Sequence, residues 1–513
     1  MTSQKTVDHG ISETDVISRT VPPNDSAGAH SVVHQATRGA IALSIRQVLV
    51  YAVNIAGGIL LARLLTPSAF GFYGVVIFAL MFLNIFAGTG FAANLIRITK
   101  APTLEEKRAV FTAQECLVAC LFLAVWLASP YLATAYHIQA HNVLFFRLIG
   151  VSFLLTSLMV MPQIQLEREL AFDKLALIEV SQALLFNGIA VLMAWRGMGI
   201  LSFSVALAFR SGCGAILAGV ISPWKIGFKW DYQILRKHIH FGIALQGSAI
   251  LSTLKDAITP AFVGMYLGAA SLGYVTWANS LATYSVVALM PLQRLYLPFF
   301  AKFQHDRVQL ARYLSHTLWI VNGIAAPLTL LTVALARPIT TLVFGSKWLY
   351  ALPLFYYLIA GNLFVACSSP MLGVINALGR ARTTFLVASM WMASTWLFGV
   401  PLTLLWHLRG FGASMVCVSL TNLVLYWIVW RELRVNPAKA YWPTWPLAAI
   451  LCCLLYFIQL HRAPSNVGEL AAYAIVTLVV YGAALWSSSP GQVAVVKRMM
   501  RRAPSAPPVV ATV

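Results

Sequence analysis

The chain has 513 residues, of which 59% are hydrophobic and only 10% are charged, and its formal net charge is +20. Soluble domains contain roughly 45–50% apolar and about 25% charged residues, so a soluble chain of this composition could not cover its surface with polar groups. A nucleic-acid-binding protein combines basic patches with ordinary acidic content and an ordinary core, which this sequence lacks. The composition excludes both classes and indicates a polytopic membrane protein.

The seven cysteines all fall inside apolar runs and none lies in a polar loop. Their odd number argues against a disulfide framework, and they lack the paired spacing of a zinc site. We interpret them as small buried apolar residues.

In chain order, residues 1–38 are polar and poor in aromatic residues, which predicts a disordered cytoplasmic tail. Beyond this tail, long apolar runs alternate with short polar breaks, and one membrane span needs about 20 residues. We identify fourteen candidate spans, at 41–62, 70–96, 109–135, 143–164, 175–195, 199–224, 241–268, 273–300, 315–336, 351–375, 384–405, 410–430, 443–460 and 467–487. The predicted fold class is therefore an all-α polytopic membrane protein.

The basic residues predict the orientation of these spans. With a cytoplasmic N-terminus, 25 of the 36 Lys and Arg residues lie in cytoplasmic segments, 6 lie in external loops and 5 lie inside spans. Because cytoplasmic loops carry the excess of positive charge, both termini are predicted to be cytoplasmic, including a basic tail at 491–513. The external loops are too short to hold an enzyme domain and there is no GxxxxGK(S/T) motif, so we expect a non-enzymatic protein without its own ATPase.

Two short turns predict an internal repeat. LTPSAFGFY (65–73) joins spans 1 and 2, and LGAASLGY (267–274) joins spans 7 and 8; each places Leu six residues before Gly and Tyr shortly after it. The offset corresponds to six spans, as in the parallel repeats of transporters. The predicted organisation is a six-helix bundle at 39–224, a cytoplasmic linker at 225–240, a second six-helix bundle at 241–432 and an extra two-helix segment at 433–490.

Three charged residues lie deep inside predicted spans. Arg210 is in span 6, and Lys255 and Asp256 are in span 7, each more than ten residues from either end. Charges at this depth are costly and are functional candidates. Pro260 removes the hydrogen bond to the carbonyl of Asp256, which predicts a kink beside these charges. A structural Asp256–Arg210 ion pair is the alternative, but it would leave Lys255 without a partner, so we favour a solvated cavity.

A second polar stripe lies on span 1 and contains Asn54, which by the repeat occupies the position equivalent to Asp256. If the halves face each other, the two stripes line one cavity, and the predicted charge of that cavity is positive. Such a cavity suits an anionic substrate, above all a phosphate. Arg46 and Arg294 lie nearer the span ends, where a side chain can reach the headgroups. Because Asp256 and Asn54 occupy equivalent positions on the two polar stripes, we predict both as candidates for gating or ion coupling.

Several stretches of the sequence resemble one family. LLARLLTPSAFGFYGVV (60–76) and AGTGFAANLIR (87–97) are similar to the opening of bacterial polysaccharide transporters, the Wzx-type lipid-linked oligosaccharide flippases. That family belongs to the superfamily of multidrug extruders and the lipid II flippase. The second half, notably PLQRLYLPFFAKFQHD (291–306) and LARPITTLVFGSKW (335–348), resembles exopolysaccharide exporters of the colanic-acid and xanthan kind.

The resemblance implies two six-helix bundles in a V around a central cationic cavity, with two extra C-terminal helices. The implied substrate is an undecaprenyl-diphosphate-linked oligosaccharide repeat unit, flipped across the bacterial inner membrane by alternating access for exopolysaccharide, capsule or O-antigen synthesis. In related flippases, arginines on the first and eighth helices bind the diphosphate, a role that the resemblance carries to Arg46 and Arg294. Arg210 and Lys255 are the other predicted headgroup ligands.

The expected partners are the lipid-linked oligosaccharide, membrane lipids and the polymerase and glycosyltransferases of the same pathway, without nucleic acid. No cofactor or metal is expected, and coupling to H⁺ or Na⁺ is left open. The alternatives are a cation-coupled multidrug extruder, which the excess of buried positive charge disfavours, and a lipid II flippase. The sugar composition and the pathway are not readable from the sequence.

Overall fold

A computed structural model of the chain describes residues 46–83, 95, 102–137, 143–235 and 250–490. The predicted tails at 1–38 and 491–513 lie outside these residues, as do parts of predicted spans 2 and 7. The boundaries of the predicted bundles and of the linker at 225–240 stay predictions.

The described residues are helical and contain no strand. We number the α-helices in chain order as α1 (Arg46–Leu64), α2 (Pro67–Leu83), α3 (Leu104–Ala135), α4 (Leu144–Ser157), α5 (Val160–Arg168), α6 (Phe172–Trp195), α7 (Leu201–Ile221), α8 (Gly268–Tyr284), α9 (Met290–Ala301), α10 (Arg307–Ala334), α11 (Leu352–Ala377), α12 (Ala381–Leu420), α13 (Asn422–Leu433), α14 (Thr444–His461) and α15 (Val467–Ser488).

Ten helical stretches among the described residues are long and apolar enough to cross a membrane. One of them, Ala381–Leu433, covers predicted spans 11 and 12. The backbone leaves the helical conformation between these two spans, at Trp406 and His407. At this reversal the chain is so close that a Cβ on Gly410 would lie 1.8 Å from the carbonyl oxygen of Leu402. The all-α polytopic fold class is confirmed, whereas the number of fourteen spans stays a prediction.

The two turns of the predicted repeat meet in the structure. A Cβ on Gly71 would lie 2.2 Å from the carbonyl oxygen of Ala269, and a Cβ on Gly273 would lie 1.9 Å from that of Pro67. Each glycine thus allows the backbone of the other helix to approach, as small residues do where membrane helices cross closely. The reciprocal contact holds α2 of the first half against α8 of the second.

The largest apolar cluster contains residues of both halves, among them Phe70, Trp277 and Trp348. A second cluster lies within the second half and includes Phe300 and Leu318. The first cluster therefore joins the halves where α2 packs on α8, at the end of the molecule that the charge distribution predicts to be external.

The beginning of the predicted linker packs on the first half. The Lys229 ammonium lies 2.7 Å from a carboxylate oxygen of Glu105, and the Lys229 backbone N–H donates to the Thr112 hydroxyl at 3.0 Å. Both partners belong to the first turns of α3, where Thr103 and Glu106 form a capping box. These contacts fix the chain that leads from α7 toward the second half.

Candidate functional site

The helix that carries Lys255 and Asp256 changes its winding immediately after them. Residues 250–256 are helical, and Ile258–Gly264 forms a π-helical stretch that contains Pro260. The predicted break at Pro260 is therefore present. Its cause is the missing N–H of proline, which leaves the preceding turn without its regular hydrogen bond.

A side chain at the end of α3 and one on α12 satisfy the carbonyls beside this break. The Trp396 indole N–H donates to the carbonyl of Leu254 at 2.9 Å, and the Tyr136 hydroxyl donates to the carbonyl of Pro260 at 2.7 Å. Irregular backbone at membrane depth persists where protein groups meet its hydrogen-bonding needs. The break is thus built into the packing of α3 and α12.

Lys255 and Asp256 form an ion pair with each other. Their charged atoms are 2.9 Å apart, and the two side chains are 33% and 36% exposed. The alternative of an Asp256–Arg210 ion pair is wrong, since Asp256 pairs with Lys255 instead. The reason is the long flexible lysine stem, which curls back to the adjacent carboxylate. The pair remains accessible at the break in the helix.

Arg210 lies inside the first half, on α7. Its guanidinium carbon is 6.0 Å from the centre of the Phe186 ring, which stacks on Tyr73. Within the described residues, no carboxylate oxygen lies within 4.0 Å of the Arg210 guanidinium. The Phe186 ring therefore offers this cation only the weak attraction of an aromatic face.

Arg46 is buried, with 8% of its side chain exposed, and it donates to Glu179 of α6 at 2.8 Å. The sequence allowed this arginine to reach the headgroups from the end of span 1. The structure instead turns it inward, because a carboxylate on the neighbouring helix compensates its charge. Glu179 is the partner that sequence analysis missed.

Asn54 is also held within the first half. Its side-chain oxygen accepts a hydrogen bond from the amide of Asn187 at 2.9 Å, and Asn187 is buried on α6. The adjacent face of α1 approaches the second half, where a Cβ on Gly58 would lie 3.2 Å from the Tyr284 hydroxyl oxygen. Asn54 therefore lies one turn from the contact between α1 and α8.

Arg294 lies on α9, and the structure describes its backbone but not its side chain. Predicted span 8 is not one continuous helix here: α8 ends at Tyr284, a 3₁₀ turn covers Val287–Leu289, and α9 begins at Met290. Pro291 explains this break, because it cannot donate a hydrogen bond back to the preceding turn. Pro291 is therefore the feature of the sequence that marks this interruption.

Three side chains connect the halves at the predicted external end; we call Arg63, Lys347 and Trp348 the outer clamp. The Lys347 ammonium donates to the carbonyls of Arg63 at 2.7 Å and Leu65 at 2.6 Å, and the Trp348 indole N–H donates to the carbonyl of Ala62 at 3.0 Å. These carbonyls end α1, where helical partners run out and a cation is favoured. The second half therefore caps the first helix of the first half.

The outer clamp works in the opposite direction as well. The Arg63 guanidinium donates to the carbonyl of Val343 at 2.6 Å and also to that of Leu342, at the end of the π-helical stretch Ile339–Phe344. Gly345 then adopts a φ of 104°, a left-handed conformation that favours glycine and turns the chain toward α1. Trp348 is fully buried and stacks on Trp277 at 5.5 Å between ring centres.

These contacts give the polar residues two different roles. Arg46 and Lys255 each have a carboxylate partner in their own half, whereas Arg210 has none within ion-pair distance in the described part of the chain. The excess positive charge favours an anion beside these residues. Breaks in two helices, next to Lys255 and ahead of Arg294, are typical of substrate sites in membrane transporters.

The fold and the site thus define a multi-pass membrane protein with a transporter architecture. A family model described as "Polysaccharide biosynthesis protein" matches residues 60–353, which is more than half of the chain. The chain belongs to the polysaccharide biosynthesis protein family, as the resemblance of its turns indicated.

Two relatives are similar in sequence to this chain over about two thirds of its length. It is 25% identical over 358 residues to the teichuronic acid biosynthesis protein TuaB of Bacillus subtilis, covering 69% of this chain and 74% of TuaB. It is 26% identical over 335 residues to the succinoglycan biosynthesis transport protein ExoT of Rhizobium meliloti, covering 64% of this chain and 66% of ExoT.

Solved structures share the fold. The lipid II flippase MurJ in an inward closed conformation superposes with a TM-score of 0.70 at 12% identity, covering 88% of this chain and 99% of MurJ. An inward-facing multidrug transporter of the MATE family gives a TM-score of 0.57 at 15% identity, covering 78% and 99%. These likenesses confirm the predicted fold class.

Proposed function

We propose that the protein flips an undecaprenyl-diphosphate-linked oligosaccharide repeat unit from the inner to the outer leaflet of the bacterial inner membrane. Membership of the polysaccharide biosynthesis family supports the saccharide part of this proposal. The transport role is supported by the relative named as a succinoglycan transport protein. The product would enter exopolysaccharide, capsule or O-antigen synthesis.

One observation carries the anionic part of the proposal: the Lys255–Asp256 pair lies partly exposed at a break in its helix. A diphosphate offers Lys255 more negative charge than a single carboxylate does, so it competes with Asp256 for the ammonium group. Arg210, Arg46 and Arg294 are the further cations that we assign to the headgroup. An Asp256 released from Lys255 would be available to bind H⁺ or Na⁺.

The position of the outer clamp supports transport by alternating access. With α1 capped from the second half, the predicted external end is closed, and the lipid would enter from the cytoplasmic side. Transport then requires the outer clamp to open once the headgroup is bound. The orientation predicted from the basic residues places both termini in the cytoplasm, and we assign the protein to the inner membrane.

The test is the export of polymer in a strain that depends on this protein, together with flipping of the lipid-linked saccharide in reconstituted vesicles. We expect Lys255→Ala and Arg210→Ala each to abolish most export at normal protein levels. The matched control is Lys302→Ala, which removes an exposed lysine outside the site and should leave export unchanged. Full export by both site variants would contradict the cavity assignment.

A lipid II flippase is the second candidate, because the fold is shared with MurJ. Lipid II and an exopolysaccharide precursor carry the same diphosphate, so the cations do not separate them. Rescue of a strain that lacks its lipid II flippase would favour this candidate. Glycosyltransferase genes beside the gene for this chain, together with loss of polymer on deletion, would favour exopolysaccharide export.

A further inference from the structure

The end of α13 presents exposed tryptophan and arginine side chains on one face. Four exposed residues follow the helical spacing i, i+3, i+4 and i+7, and we call them the Trp–Arg stripe: Trp427, Trp430, Arg431 and Arg434. Residues with this spacing lie on the same side of a helix. The two indole side chains are 53% and 44% exposed, so the stripe is not covered by the described part of the chain.

Each arginine of the stripe lies over the ring of the tryptophan one turn before it. The guanidinium carbon of Arg431 is 5.5 Å from the centre of the Trp427 ring, and that of Arg434 is 5.4 Å from the centre of the Trp430 ring. A guanidinium that contacts a ring through its face keeps the N–H groups at its edge free to donate. The rings therefore hold two sets of donors on one face of the helix.

No carboxylate among the described residues neutralises these two arginines. The acidic residue of α13 is Glu432, and its carboxylate pairs with Arg380 and lies 3.8 Å from Arg307. Glu432 therefore joins α13 to the beginnings of α10 and α12, and it does not lie within ion-pair distance of Arg431 or Arg434. The Trp–Arg stripe thus carries two positive charges that call for an anion.

The same face of α13 continues into predicted span 12 with aliphatic side chains. Leu423 and Val424, one turn before Trp427, are also exposed. In the predicted orientation α13 is the cytoplasmic end of this span, so the face presents aliphatic, indole and guanidinium groups in order from the bilayer interior outward. A phospholipid presents acyl chains, ester groups and phosphate in the same order, and Trp and Arg side chains favour the level of the headgroups.

We propose that the Trp–Arg stripe binds an anionic phospholipid of the cytoplasmic leaflet, whose phosphate accepts hydrogen bonds from Arg431 and Arg434. The two arginines repel the ammonium group of phosphatidylethanolamine, whereas phosphatidylglycerol carries no such cation. A free phosphate would leave the indole rings and the aliphatic side chains uncovered, so the occupant is the lipid. None of these residues is assigned to the transported substrate, and the inference does not depend on the proposed function.

The experiment measures photocrosslinking of lipids to the purified full-length protein in phosphatidylcholine nanodiscs. The probes are phosphatidylglycerol and phosphatidylethanolamine with the same photoreactive acyl chain at equal mole fraction, and mass spectrometry of peptides locates the labelled residues. We expect phosphatidylglycerol to label α13 about tenfold more than phosphatidylethanolamine, since two charge-assisted hydrogen bonds favour it. The double variant Arg431→Gln, Arg434→Gln should lose this preference. Trp427→Leu with Trp430→Leu should reduce it severalfold, because the rings orient the guanidinium groups.

The matched control carries Arg312→Gln and Arg382→Gln. These arginines are also exposed at predicted cytoplasmic ends, and their loss removes the same charge, but neither lies over an aromatic ring in the part of the chain that the structure describes. The control should keep the preference for phosphatidylglycerol on α13. Equal labelling by the two probes in wild type, or an equal loss in the control, would overturn the proposal. Full competition by millimolar glycerol phosphate, which has no acyl chains, would overturn the assignment of a lipid.

Discussion

The contacts at the predicted external end and the ion pairs inside the predicted spans hold the molecule together in different ways. At the external end, Lys347 and Trp348 bind carbonyls of the other half, and Arg63 does the same in return. Inside the predicted spans, the Arg46–Glu179 ion pair lies within the first half and the Lys255–Asp256 ion pair lies within the second. The first arrangement joins the halves, whereas the second lets each half keep its charges compensated when the halves separate.

This difference has a physical basis in what each interaction would lose on separation. The carbonyls that end α1 would meet water at the external surface, so breaking the outer clamp exchanges one set of hydrogen bonds for another. A buried arginine that lost its carboxylate partner inside the membrane would find no such replacement. The contacts that cross between the halves can therefore break and re-form at low cost, as the proposed alternating access requires.

The largest expected effect sharpens this comparison at Arg46. We expect Glu179→Gln to lower the free energy of unfolding by about 3 kcal/mol, because Arg46 keeps its charge while only 8% exposed. Arg46→Gln should cost clearly less, since Glu179 is 41% exposed and can be hydrated. SDS and thermal unfolding of the purified protein measure both values. A larger loss for Arg46→Gln would contradict the asymmetry.

Gly273→Ala tests the contact between the halves. The new Cβ would lie 1.9 Å from the carbonyl oxygen of Pro67, a backbone atom that no rotamer change can move away. We expect a loss of about 2 kcal/mol in unfolding free energy, together with a looser external end. Greater thiol labelling of a cysteine placed at Ala69, in a background without the native cysteines, would report the loosening.

Gly188→Ala is the control for this substitution. Gly188 is also helical, but a Cβ there meets nothing within 4 Å, so alanine should be neutral or slightly stabilising. An equal loss in the two variants would show that the close approach of α2 to α8 does not set the effect of Gly273→Ala.

Much of the fold could be predicted from the sequence, because hydrophobic length is a direct physical requirement of a membrane span. The repeated turns at Gly71 and Gly273 indicated an internal repeat, but the sequence did not show that the two turns contact each other. The break after Asp256 was predictable from Pro260. The same reasoning applies to Pro291, which would have predicted the interruption of span 8.

The pairing of charges was less predictable. Depth within a span indicated that Arg210, Lys255 and Asp256 would be important, but the partners depend on how helices rotate against each other. Lys255 forms an ion pair with its sequence neighbour Asp256, a contact that helical periodicity cannot predict. Arg63 and Lys347 lie in predicted external loops, and no local pattern shows that a loop side chain will cap a helix 284 residues away.

The smallest expected effect concerns Lys347, the residue that bonds twice across the halves. Lys347→Met keeps a side chain of similar length but removes both hydrogen bonds to α1. We expect the free energy of unfolding to fall by about 1 kcal/mol, because water replaces much of the two lost hydrogen bonds. The conformational equilibrium should respond more visibly, since about 1.4 kcal/mol shifts a two-state ratio tenfold. Labelling of the Ala69 cysteine should therefore rise severalfold in Lys347→Met and return toward the wild-type level in Lys347→Arg, which restores a cation with several donors. Unchanged labelling in Lys347→Met would mean that the apolar packing around Trp348 closes the external end without the help of the lysine.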